Sequence, residues 1–114
     1  MSDILKITVD FVLNLLKNDL DDKYVYHNYT HTRRVVKSTQ EIINNSELDV
    51  KEQKALLLAA WLHDTGYIQG AENHEEESAK IAERFLKEQN ESVEIIDQVK
   101  KLILATKFND TPVG

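Results

Sequence analysis

Cysteine is absent from these 114 residues, which excludes disulfides and thiolate zinc sites and agrees with a reducing compartment. Proline occurs once and glycine three times. With so few breakers, and no sustained period-2 alternation of β-branched residues, helices are expected almost everywhere. Internal repeats and low-complexity tracts are missing as well. No apolar run approaches the length of a membrane span, and the opening Met1-Ser2-Asp3 lacks the basic start of a secretory signal, so the expected location is the cytoplasm and no membrane partner is expected. A broad positive surface is lacking too. The formal charge of -6 offers no extended face to nucleic acid or anionic lipid, and an anionic substrate has to be drawn in locally. With 41% hydrophobic residues, 114 residues suffice for one core and not two, so a single domain over 1–114 is expected.

What is present reads as five helices. The first covers about residues 3–20, with Ile4, Phe11, Val12, Leu15, Leu16 and Leu20 at three- and four-residue steps. A tyrosine-rich segment, 24–29, precedes a second helix with Val35, Val36, Thr39, Ile42 and Ile43 on one face, ending near Asn44-Asn45. The third opens with Asp49 three residues before Glu52, a capping-box pattern, and is apolar nearly all round from Ala55 to Leu62. Such a helix has to be buried on every side. The fourth opens with Asn73 three residues before Glu76, turns Ile81, Ala82 and Phe85 inward, and ladders Glu76, Lys80, Glu83 and Lys87 toward solvent. The fifth, roughly 91–107, buries Ile95, Ile96, Val99, Leu102 and Ile103, and residues 108–114 read as loop.

Chemistry begins where the most apolar helix ends. His63 and Asp64 sit at its last turn, with Gly66 two residues on as a left-handed terminator. Neighbouring helical residues point about 100° apart. Both can therefore reach one ion only beyond the helix end, where unpaired carbonyls and the negative dipole pole favour a cation. A lone His-Asp pair is more often a protonated helix terminator followed by a solvated aspartate. Company changes that weighting. His31 lies at the inward edge of the second helix, with His27 four residues before it, although an imidazole at the edge of an apolar face is commonly a satisfied core residue. Two neutral imidazoles and a carboxylate converging on a point suit a divalent cation. Arg34, one turn after His31, is placed to meet a phosphate or to be an ordinary surface arginine; Arg33 is read as pointing outward. His74, opening the fourth helix, is equally an acid-base or phosphate contact and a simple cap. Glu72 and Glu77, beside it, are candidates for the base that takes a proton from metal-bound water. Thr106 and Lys107 end the fifth helix, where an anion contact competes with ordinary capping.

The ordered set Tyr26-His27-Asn28, His31-Thr32-Arg33-Arg34-Val35, Leu62-His63-Asp64-Thr65-Gly66-Tyr67, Asn73-His74-Glu75-Glu76-Glu77-Ser78-Ala79 and Ile103-Leu104-Ala105-Thr106-Lys107 resembles the HD superfamily of metal-dependent phosphohydrolases, over about residues 24–107. The resemblance implies an all-α helical bundle of about five helices, a divalent metal held by His31, His63 and Asp64, and hydrolysis of a phosphomonoester or phosphodiester, often on a nucleotide. Arg34, Lys107 or His74 would neutralise charge on the phosphoryl group. Imidazole and carboxylate ligands suit manganese, iron, cobalt, nickel, zinc or magnesium without choosing among them. In the family a further aspartate on a later helix completes the site. No convincing equivalent occurs here, since Asp110 falls in the expected loop. Either the sequence lacks C-terminal helices of a longer protein, the preferred reading, under which this form would bind metal weakly and lack activity, or the site is completed by water, His74 or another subunit. The competing reading is a non-catalytic helical module that binds a nucleotide or partner protein through an incomplete metal site; a third is an interaction domain with incidental histidines. A homo-oligomer stays open.

Overall fold

Asp49 starts the helix around which the others gather. The computed structural model describes the backbone of residues 3–19, 22–63, 65–66 and 74–109, and the side chains of 4–18, 29–63, 65–66 and 75–105. Five helices follow in order: α1 (Asp3–Asp19), α2 (Asp22–Asn44), α3 (Val50–Leu62), α4 (His74–Glu88) and α5 (Val93–Asn109), with no strand among the described residues. The fold is all-α, a helical bundle. No helix is long and apolar enough to cross a membrane, among the described residues.

The capping box at α3 forms as the sequence implies. The Glu52 N–H donates to the Asp49 carboxylate at 2.8 Å, and the Asp49 N–H donates to Glu52 Oε1 at 3.3 Å. Beyond it Ala55, Leu57, Leu58, Ala59, Ala60 and Leu62 are all buried. With no polar stripe to present to water, α3 packs against each of the other four helices. Helix α1 sends Ile4, Val12 and Leu16 into the shared core, and Phe11 stacks on Phe85 of α4 with ring centroids 4.2 Å apart. Helix α5 adds Ile95, Ile96, Val99 and Ile103. Side chains as enclosed as Leu58, Leu62 and Leu86 stabilise the fold by about 1.5–3 kcal/mol each.

Three boundaries and one face differ from the sequence reading. Helix α2 begins at Asp22, so the tyrosine-rich segment forms its first turns. Aromatic residues lower helix propensity by only tenths of a kcal/mol each, about 0.7 at most, and neither glycine nor proline interrupts the segment. Ile43 is buried but Ile42 is exposed, which narrows the apolar stripe of α2. Helix α5 starts at Val93 instead of residue 91, because Ser92 is its cap and accepts the Ile95 N–H at 3.2 Å. It runs on to Asn109, so residues 108 and 109 are helical.

The α4–α5 connection is a Schellman turn closed on a left-handed asparagine. Asn90 has φ of 61°, its N–H donates to Lys87 O, and the Glu91 N–H donates to Leu86 O, both at 3.0 Å. Lys54 of α3 holds Glu91 at 2.9 Å, which ties this turn to the central helix. Farther along, Glu83 of α4 lies 3.0 Å from Lys100 of α5 and 3.1 Å from Lys87. Hydrogen bonds from Lys100 first and Lys87 second, reinforced by both charges, hold the Glu83 carboxyl below the ordinary glutamate range.

Two outcomes follow. Asn90→Ala forces a Cβ without asparagine's local hydrogen bonding into the left-handed region and lowers stability by about 1 kcal/mol, whereas Asn90→Gly matches or exceeds the parent; urea midpoints check this. Because the folded Glu83 carboxyl is depressed, its contribution is present above the ordinary glutamate value and vanishes as pH falls through the folded value. Glu83→Gln therefore melts at a lower temperature than the parent at neutral pH, and the two melting temperatures converge in acid, once the pH has fallen below the depressed value of the folded carboxyl. A gap that persists in acid would rule out the ion-pair origin.

Candidate functional site

The central helix delivers a histidine at its end. His63 caps α3 with right-handed φ and ψ of -63° and -26° and is buried. Its Nδ1 lies 2.7 Å from the carbonyl oxygen of Ala60. A carbonyl only accepts, so Nδ1 carries the proton and donates, and Nε2 is the nitrogen with the in-plane lone pair. The backbone thus fixes both the tautomer and the ring direction.

Facing it is His31 of α2, on the solvent side of the seam between α2 and α3, with ring centroids 6.1 Å apart and planes inclined by 48°. Thr32 is buried in that seam, and Tyr29 meets Trp61 at 6.3 Å between centroids, so the contact that packs the two helices also brings their histidines together. Two imidazoles bound tetrahedrally to one ion at about 2.1 Å have ring centres roughly 5 Å apart. The observed 6.1 Å is about 1 Å wider, a difference that a modest rotation of the exposed His31 closes. These two rings suit the nitrogen half of a metal site. Among the described residues no group of three His, Cys, Asp or Glu is placed to hold an ion, and Asp64, the expected third ligand, lies outside the described residues.

The chain leaving His63 is anchored twice. The Thr65 hydroxyl donates to the Leu62 carbonyl at 2.7 Å, and the Gly66 N–H donates to the hydroxyl of Ser78, which is wholly enclosed in α4, at 2.8 Å. Residues 65 and 66 form a 3₁₀ turn, in place of the left-handed terminator expected at Gly66. The helix end is therefore satisfied by a threonine side chain.

The remaining sequence-derived candidates are spread unevenly. Glu72 lies outside the described residues, as does Asp110. His74 opens α4 and Lys107 falls near the end of α5, and neither side chain is among those described. Glu77 is partly exposed, with Lys80 Nζ 3.7 Å away. Arg34 is exposed and lines a cleft between α2 and α3. Arg33, read from the sequence as outward, lines the same cleft, its guanidinium carbon 5.8 Å from the centre of the Tyr29 ring. One residue was passed over: Glu75, in the first turn of α4, is buried with 6% of its surface exposed. Its signal was the inward stripe of Ser78, Ala82 and Phe85, which it extends by one turn, but a carboxylate is the least expected occupant of such a stripe.

The family model described as HD domain matches residues 28–110, and the chain belongs to that family. No curated protein and no solved structure matches it.

Ser78→Ala removes the acceptor of a buried backbone N–H. It is expected to lower stability by about 1–3 kcal/mol, read from urea or thermal unfolding. A change within a few tenths would mean that the Ser78 bond does not hold the turn after His63.

Proposed function

We propose that the chain is a metal-dependent phosphohydrolase acting on a phosphomonoester or phosphodiester, nucleotides among them. One observation carries the reading: two histidines from different helices face each other in the HD domain fold, and the buried one has its tautomer set by a main-chain carbonyl. His31 and His63 would supply nitrogen ligands and Asp64 a charged oxygen. With imidazole and carboxylate donors and no thiolate, the set suits manganese, iron, cobalt, nickel, zinc or magnesium. A divalent ion held there supplies Lewis acidity toward a phosphoryl oxygen and lowers the pKa of water.

The chain's own groups do the rest. The Nδ1–H of His63 donates to the Ala60 carbonyl, which leaves Nε2 as the nitrogen that would bind a metal. Arg34, one turn along α2 from His31, offers a planar fork of donors to the non-reacting phosphoryl oxygens. His74 and Lys107 are proposed to neutralise charge on the same group, and Glu72 or Glu77 to accept the proton of the attacking water.

The test is phosphate release from a panel of nucleotides and model diesters, with each metal added in turn. His63→Ala is expected to lower kcat/KM by roughly 100-fold or more while the helical circular dichroism is kept. Binding of nucleotide with no phosphate released under any metal would instead make the protein a helical binding module. Equal metal content in the parent and in His63→Ala would make the histidines incidental.

A further inference from the structure

Ser78 is wholly enclosed in α4, yet what it holds belongs to another part of the chain. Its hydroxyl accepts the Gly66 N–H at 2.8 Å, across twelve residues of sequence. Inside a helix serine competes with the backbone for hydrogen bonds, and an enclosed hydroxyl is costly to bury. Packing alone would be met by alanine, as it is at the buried Ala79 and Ala82 of the same helix. The hydroxyl at 78 is therefore explained by the bond it makes. At the other end of that bond the lack of a side chain at Gly66, itself buried, lets the main chain come this close to α4.

The bond is the last of three that follow one another along the chain. The His63 ring takes the Ala60 carbonyl and the Thr65 hydroxyl takes the Leu62 carbonyl, each at 2.7 Å, and the Gly66 N–H then goes to Ser78. His63, Thr65, Gly66 and Ser78 are all buried, so water does not compete for these bonds. The first two reach back only to α3. They turn the chain off the end of the helix but do not fix where the turn lies in the bundle. Only the third ties it to another helix. Because Ser78 stands three residues after the buried Glu75 and four after His74, the same bond sets how the first turn of α4 lies against the end of α3.

We propose that Ser78 is a positioning residue for the candidate metal centre: by holding the Gly66 N–H it fixes against α4 the turn that follows His63, so that the donors of His63 and Asp64 reach one ion. The inference deepens the phosphohydrolase reading and rests on it for the metal. Asp64 stands in the sequence between His63 and Thr65. Each residue has only two soft dihedrals, so pinning the residues on both sides of a ligand narrows the freedom its main chain has. A metal ion tolerates errors of only about 0.2 Å in its ligand distances, and it binds more tightly when that freedom is spent before it arrives. Ser78 touches no ligand itself and acts through the main chain at Gly66.

The probe is zinc(II) alone, titrated by calorimetry into the 114-residue protein and its variants, with circular dichroism showing each to be folded. Ser78→Ala is expected to weaken zinc binding by about tenfold or more, the scale for losing a group that orients a ligand. Ser78→Thr keeps the hydroxyl and is expected to regain most of the affinity. Asn90→Ala, destabilised at the far end of α4, is expected to bind zinc as the parent does, which separates positioning from stability. By reciprocity, saturating zinc slows exchange of the Gly66 amide in the parent, as read by NMR. A zinc affinity in Ser78→Ala within twofold of the parent overturns the inference, and so does an equal loss in Asn90→Ala. His63→Ala tells the two readings apart. Zinc bound as tightly by His63→Ala as by the parent defeats the metal reading and this inference with it, whereas zinc lost in His63→Ala and kept in Ser78→Ala defeats the positioning role alone.

Discussion

A helix that is apolar on every side from Ala55 to Leu62 has to be surrounded there, and that requirement shapes this protein more than any other. Helix α3 exposes its apolar residues in all directions, and each of the other four helices takes one sector of it: α1 with Ile4, Val12 and Leu16, α5 with Val99 and Ile103, α4 with Ala82 and Leu86, and α2 along the Trp61 edge. An enclosed rod has two ends, and only there can polar chemistry emerge without crossing the core. At the amino end the Asp49 capping box takes up the N–H groups of Asp49 and Glu52. At the carboxyl end the carbonyls of Ala60 and Leu62 are taken by the His63 ring and the Thr65 hydroxyl. The candidate site therefore grows out of the termination of the central helix, and the residue that ends the helix is the one whose tautomer the helix sets.

Much of this was legible in the sequence, because the strongest signals were local and cooperative. The Asp49-Glu52 spacing and the uninterrupted apolar run to Leu62 need no tertiary knowledge, and they locate both the buried helix and the end where His63 emerges. The charge ladder of α4 was legible in kind but not in partner: Glu83 serves Lys100 of α5 as well as Lys87, and a contact between helices leaves no periodic trace. The start of α2 was missed because aromatic clusters resemble turn-flanking or strand segments when read alone, while a helix already nucleated continues through them at small cost.

Glu75 was read from the sequence only as one of the acids around His74. Helical phase places it three residues before the enclosed Ser78, on the stripe that faces inward, and its burial follows from that phase. Arg33 is exposed, as its outward phase implied, and its guanidinium also overlies the ring of Tyr29, one turn earlier on α2. The meeting of His31 with His63 is different, since it depends on how α2 lies against α3; their spacing and the family likeness put both on one list, and only the packing brings the rings together.

The charge distribution then follows from the same packing. An acidic surface keeps polyanions away at low ionic strength, yet at physiological salt a charge is felt over about 8 Å. Glu83 on the outer surface is held between Lys87 and Lys100. Along the α2 edge the balance is different: Arg33, Arg34 and Lys37 are exposed on one helix, and no carboxylate is among the residues that line their cleft. The formal charge of -6 thus conceals a local excess of positive charge on that edge. The contact of Tyr29 with Trp61 that packs α2 onto α3 there leaves the indole partly open at the boundary of an otherwise sealed core.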